Sequence, residues 1–297
     1  MAVSGNLLSV VMAFLIGFAS PGSGSENLPV GSGADSASGA AFADSLVTAA
    51  APEGNWMLSP YSARMCLAMF TNGTDGKTRE ELMNALRISD LDGFNSYTKE
   101  LMDEYEGYSK IMALDTANSV WLNQDYFDGN GSFLQSFSDV LDDYYNAEVG
   151  NVTSDDSIER VNGWVNEKTR GKIQSILGED NRGFLTALVN AVYFKAPWEQ
   201  EFYKSLTEPA DFHSADGTTG SMDFMHITDY FGYCSGDGLQ AVKLDYRNSS
   251  VDNEEGDNFQ FYEGADFSMY LIKTDKVMNV AGFLNGAEFE NSRVSVS

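Results

Sequence analysis

Residues 190–202 read NAVYFKAPWEQEF. Ala191, Val192, Tyr193 and Phe194 form a short apolar, β-prone run, and Pro197 closes it. Asn190 opens the run, and an amide inside an apolar strand requires hydrogen-bond partners. Trp198 follows directly after the proline. A ring of that size at the mouth of a strand needs a pocket. The stretch therefore demands a buried strand, a partner for its amide and a packing surface for its tryptophan.

The chain of 297 residues is long enough for one large domain or two small ones. Lys and Arg number 18 against 44 Asp and Glu, a net charge of -26. Such a surface repels phosphate backbones and anionic lipid, which argues against nucleic acid and membrane as partners. It leaves basic partners open and favours solubility. Cys66 lies in an apolar run and reads as a buried thiol. Whether it pairs with Cys234 is open to sequence. No CxxC or Cys/His cluster occurs, so no structural zinc site is expected.

Residues 7–19, LLSVVMAFLIGFA, are uncharged and almost wholly apolar. They are too short to span a bilayer comfortably and fit the apolar core of a signal peptide, with small residues following at 21–25. The chain is therefore expected to be secreted. In a glycosylating pathway Asn72, Asn130, Asn151 and Asn248 would stand in acceptor sequons.

Gly, Ser and Ala dominate 20–36, the composition of a flexible linker. Helices are expected over 37–50, from a Ser59 cap and Pro60 onward, after a capping box at Thr78–Glu81, and over 94–106. A strand is expected over 112–123. Two apolar helical stripes follow, Phe133 to Tyr144 and Ile158 to Val165, the second ending near Gly171. Strands are expected at 184–195, 222–234, 239–245 and 267–273, with an acidic surface loop at 246–258. Helices first and strands later argue an α+β fold, not a doubly wound one.

Catalytic patterns are missing. Only His213 and His226 are present, and neither has a metal-ligand partner at helical spacing. No G-x-S-x-G occurs. Gly236-Asp237-Gly238 precedes a strand where a dinucleotide loop would precede a helix. Asp128 to Ser132 has Phe133 where a calcium loop needs glycine, so it reads as a turn.

NAVYFKAPWEQEF resembles the signature of serpins, an Asn-Ala-x-Tyr-Phe-Lys strand leading through two residues to Trp and on to Phe. The two are usually Gly-x in that family and are Ala196-Pro197 here. NWMLSPYSARMCLAMFTNGTDGKTREELMNAL at 55–86, LDTANSVWLN at 114–123 and YYNAEV at 144–149 are similar to serpin segments. So are VNGWVNEKTRGKIQSIL at 161–177, MHITDYFGY near 225, LQAVKLDY at 239–246 and FSMYLIKT at 267–274, all in family order.

The resemblance implies a serpin-like α+β fold, with helices packed on three β-sheets, over a partial domain at 37–297. Residues 1–25 then read as a signal peptide and 26–36 as a linker. It implies that Trp198 and Lys195 lie at the breach, where a reactive loop begins to enter the central sheet. Ser59, Ser62 and Asn190 correspond to the shutter, a polar cluster behind that sheet. The helix at 158–175 would lie across the sheet and yield during insertion. The implied function is irreversible inhibition of a serine endopeptidase, or of a cysteine one, by insertion of the loop. The implied protein is a monomer with no catalytic residue, metal or cofactor. Further strands and the reactive loop belong, in the family, beyond RVSVS at 293–297, so the chain is expected to lack its C-terminal portion. The alternatives are a non-inhibitory serpin and a short interaction protein or inactive remnant.

Overall fold

The computed structural model describes residues 9–13, 32–50, 57–214, 217–236, 238–253, 259–263, 267–274, 283 and 287–297. In chain order the first elements are β1 (Ser9–Ala13), α1 (Ser32–Ala50), α2 (Pro60–Asn72), α3 (Gly76–Leu86) and α4 (Leu91–Gly107). Then come β2 (Ala113–Asn123), α5 (Gln135–Tyr145), β3 (Ala147–Val152), α6 (Ser157–Lys168) and β4 (Thr186–Lys195). The strand-rich part holds β5 (Glu208–His213), β6 (Thr219–Phe224), β7 (Ile227–Gly236) and β8 (Leu239–Asp245). It closes with β9 (Ser249–Asn253), β10 (Phe259–Glu263), β11 (Ser268–Thr274) and β12 (Glu290–Val296). Two compact units result. One is drawn from Glu26–Phe42 and Pro60–Lys195, the other from Met1–Ser25, Ala43–Ser59 and Ala196–Ser297.

The first unit is built on a three-stranded sheet of order β3-β2-β4. β2 runs antiparallel to β4, from Ala113 opposite Lys195 to Leu122 opposite Thr186, and parallel to β3. From Asn118 to Asn123 every residue of β2 is buried, so both faces of the sheet are covered there. Residues two apart share a face. On one face Val161, Trp164 and Val165 of α6 meet Trp121, Val189 and Ala191. The opposite face belongs to α2 and α4, whose Met65, Met69, Leu101 and Tyr105 are buried. Asn118 on this face donates from Nδ2 to the carbonyl of Tyr145 at the end of α5, 2.7 Å. Behind it, Tyr145 donates from Oη to Asn95 Oδ1 (2.6 Å), and Asn72 and Asn95 exchange hydrogen bonds of 2.9 and 3.0 Å. Asn72, one of the four sequon asparagines, thus spends its amide on packing.

The second unit carries an antiparallel sheet of order β1-β11-β8-β7-β12 and the two-stranded ribbons β5–β6 and β9–β10. β1 pairs with β11 from Ser9 opposite Thr274 to Ala13 opposite Tyr270. β1 lies inside the segment read above as a signal peptide, so leader removal would bare this edge of β11.

Several boundaries differ from expectation. α1 begins at Ser32, inside the stretch read as linker. The first turn of α3 is capped by Asp75, whose carboxylate accepts the Gly76 N–H at 2.7 Å, and Thr78 lies already within the helix. The strand expected over 222–234 is two strands, broken at Met225–His226. The expected acidic loop contains β9, paired with β10.

Burial pushes the Tyr61 phenol up to about 12 and drives those of Tyr105 and Tyr145 up as well. Below pH 10 these groups are neutral in both folded and unfolded chain. Above it the unfolded chain ionises first and stability falls. Urea midpoints should be flat up to pH 9, begin to fall there because the buried Cys66 thiol is pushed up to about 11, and drop steeply between pH 10 and 12. Tyr145→Phe, which removes the hydrogen bond to Asn95, should cost about 1 kcal/mol at pH 7 by the same assay.

Candidate functional site: an open strand edge and its amide pair

Among the described residues β4 is the outermost strand of its sheet: one edge pairs with β2, and no described strand pairs with the other. Every second amide and carbonyl of an edge strand points away from its neighbour and offers itself to another chain. Leu188, Asn190, Val192, Tyr193 and Phe194 are each half-buried along it.

At the centre Asn190 sits in register with Asn118 and donates from Nδ2 to Asn118 Oδ1 at 2.8 Å. Asn190 Oδ1 is buried and accepts no hydrogen bond among the described residues. A buried acceptor left so costs on the order of 1–3 kcal/mol. Two residues back, the Cys66 thiol of α2 reaches the carbonyl of Leu188, 3.9 Å. Burial pushes that thiol up to about 11, so it stays protonated and inert at pH 7. Both cysteines are free thiols.

Of the shutter residues, Ser59 is exposed and directly precedes Pro60, the first residue of α2, while Ser62 is half-buried in the first turn. The partner of Asn190 is Asn118, which the sequence reading passed over. Its signal was the same one: an amide within the apolar run LDTANSVWLN. Of the breach residues, Lys195 ends β4 opposite Ala113 and is exposed.

Trp198 finds its packing surface in the second unit. Its ring stacks on Tyr246 at 4.3 Å and 12°, and Phe202 meets it edge-on at 6.1 Å. The backbone closes around the stack: Glu199 N–H donates to the Asp245 carbonyl and Arg247 N–H to that of Pro197. Arg247 also pairs with Glu201 at 2.8 Å. Burial raises the Tyr246 phenol to about 12. No local pattern pointed to Tyr246, because its partner lies far away in sequence. His213 is exposed and shares a hydrogen bond with Thr219 Oγ1, and no group of three or more His, Cys, Asp or Glu among the described residues could hold a metal ion.

The sequence model of the serpin family, serine protease inhibitors, matches residues 38–272. The chain belongs to the serpin family. Serpin-ZX of Arabidopsis thaliana is 26% identical over 263 residues, covering 82% of this chain and 63% of its own length. Ipis-1 of Ixodes persulcatus is 30% identical over 206 residues, 67% of this chain and 53% of its own. Against such curated relatives the chain spans about half to two thirds of their length. Among solved structures, tengpin, a thermophilic serpin in the latent state, superposes with a TM-score of 0.70 at 22% identity over 91% of this chain and 71% of its own. An Arabidopsis serpin in its native stressed conformation gives 0.67 at 23% identity over 88% and 67%. The α+β architecture described above is the serpin fold.

The amide pair is asymmetric, and so should be its variants. Asn118→Ala strands the Asn190 Nδ2 and the Tyr145 carbonyl and should cost about 2–4 kcal/mol in urea unfolding. Asn190→Ala also removes the unsatisfied oxygen and should cost about 1 kcal/mol or less. Trp198→Ala should return the Tyr246 titration toward pH 10, read by ultraviolet difference absorbance.

Proposed function

We infer that this chain acts as an inhibitory serpin, which traps a serine endopeptidase by taking a strand of its own polypeptide in beside β4. The family match carries this reading, and the edge of β4 that is unpaired among the described residues is where such a strand would enter. An entering strand supplies main-chain partners along that edge, and a donor on it can satisfy Asn190 Oδ1. In this reading the sheet is metastable before the strand enters, and insertion releases the stored free energy.

The chemistry belongs to the protease. Its serine oxygen attacks a carbonyl carbon of the inhibitor's exposed loop and forms an ester, and the new C-terminal fragment leaves as the amine. Insertion then drags the acylated protease along and deforms it before water can cleave the ester. The inhibitor is consumed, so this is not turnover by an enzyme. A serine-type target, monomeric action and export through residues 1–25 complete the proposal. They are supported by the family match and by the uncharged apolar run at 7–19.

The test is to express the protein from its complete reading frame and incubate it with trypsin-like, chymotrypsin-like and elastase-like proteases. The expected result is a one-to-one complex that survives boiling in detergent with at least one of them and is absent when the protease serine is replaced by alanine. Cleavage of the loop with full protease activity retained, for every protease tried, would sink the inhibitory reading.

A further inference from the structure

Helix α6 covers the face of the sheet that the β4 edge would extend. Its centre is held by apolar packing of Val161, Trp164 and Val165. Its rims are held by charge. Trp164 Nε1 donates to Glu148 Oε2 of β3 at 3.0 Å, and Lys168 pairs with the other oxygen of the same carboxylate at 2.5 Å. Arg160, one turn before Trp164, reaches the Asn151 carbonyl of β3 and lies over the Trp121 ring at 5.6 Å. These contacts tie the helix to β3 and β2.

Arg170, two residues past the end of α6, reaches β4 through a charged contact. Arg170 has a left-handed backbone (φ 52), and Gly171 after it is also left-handed (φ 77). Two such residues in succession turn the chain sharply off the helix end. The conformation is natural for Gly171 and unfavourable for Arg170. The turn aims the Arg170 guanidinium back over the sheet. There it pairs with Asp115 of β2 and lies 4.4 Å from the centre of the Tyr193 ring of β4. Asp115 and Tyr193 are registered partners across β2 and β4. One guanidinium therefore spans a cross-strand pair, with an ion pair on one strand and a cation–π contact on the other.

The geometry points to Arg170 as a latch that holds the C-terminal end of α6 down across β2 and β4 and so limits how fast the sheet can accept a strand. This rests on the strand-insertion reading above for its role, but not for its physics. The Arg170 and Asp115 side chains are about half exposed, at 55% and 47%. The ion pair is thus weak and salt-sensitive, which suits a contact that must break and not one that carries the fold. Arg170 is a positioning residue, acting through the helix and the strand pair beneath it.

The test uses three proteins expressed from the complete reading frame: wild type, Arg170→Ala and Arg170→Lys. Amide exchange over 157–170 is read by mass spectrometry, beside the urea midpoint. Uptake of a fluorescent, N-acetylated peptide of alternating threonine and alanine, about the length of β4, is timed in the same samples. Arg170→Ala should exchange roughly three- to tenfold faster in the last turn of α6 and take up peptide faster by a similar factor, with an unchanged urea midpoint. Molar sodium chloride should speed the wild type more than Arg170→Ala, in which the Lys168–Glu148 pair is the remaining salt-sensitive contact at that end of the helix. Arg170→Lys, which keeps the charge but loses the planar fork, should fall between them. Equal exchange in all three proteins would overturn the latch. So would faster exchange matched by a lower urea midpoint, because that is general destabilisation. If exchange rises as expected and no protein takes up peptide, the latch stands and the strand-insertion reading falls.

Discussion

The pairing of β2 with β4 is the constraint on which the first unit depends. β2 is covered on both faces, so it cannot shift without emptying the packing of α6 on one side and of α2, α4 and α5 on the other. A slip of one residue would turn every side chain to the opposite face. The Asn118–Asn190 pair opposes such a slip. Two amides within an apolar sheet satisfy each other only when they are directly opposite, and any other register buries both without partners. Asn118 is in turn bound to the Tyr145 carbonyl, which fixes the end of α5 against the sheet.

The same pair leaves one debt. Asn190 has two amide donors and a carbonyl oxygen, and its oxygen is buried without a donor. Most buried polar groups in folded proteins are satisfied; among the described residues Arg79 Nε and Asn190 Oδ1 are not, and the second lies in the middle of the outer strand. It lies where an added strand would bring new donors. The fold thus combines a rigid frame at β2 with an incomplete margin at β4, and a helix held over that sheet by apolar packing and weak charged rims. Strand acceptance needs all three: a fixed template, an unpaired edge and a cover that can lift.

Much of this was legible in sequence because it is local. Helical periodicity and the Ser59-Pro60 start located α2, and the stripe from Ile158 to Val165 located α6. The apolar run after Asn190 located β4. Where the reading slipped, a second local signal competed. Asp75 and Thr78 both offer a cap, and the earlier one won because its carboxylate reaches the Gly76 N–H. The break at Met225–His226 carries no proline or glycine to mark it between Phe224 and Ile227. β9 hides in an acidic stretch because pairing is a property of the backbone, while the composition there argues for solvent. The site was half legible. Asn190 declared itself as an amide among apolar residues, and Asn118 carried the same mark. Tyr246 beneath Trp198, and Asp115 and Tyr193 beneath Arg170, lie 48, 55 and 23 residues from their partners, and no local pattern encodes such meetings.

The central claim is that the outer edge of β4 is an unpaired acceptor that closes when a strand enters. Residue-resolved amide exchange over Thr186–Lys195 measures this directly, in the free protein and in its complex with a protease. In the free protein, amides bonded to β2 should exchange slowly and the alternate, outward ones should exchange faster. In the complex both sets should be slow. An outward set whose protection does not rise in the complex would contradict the account.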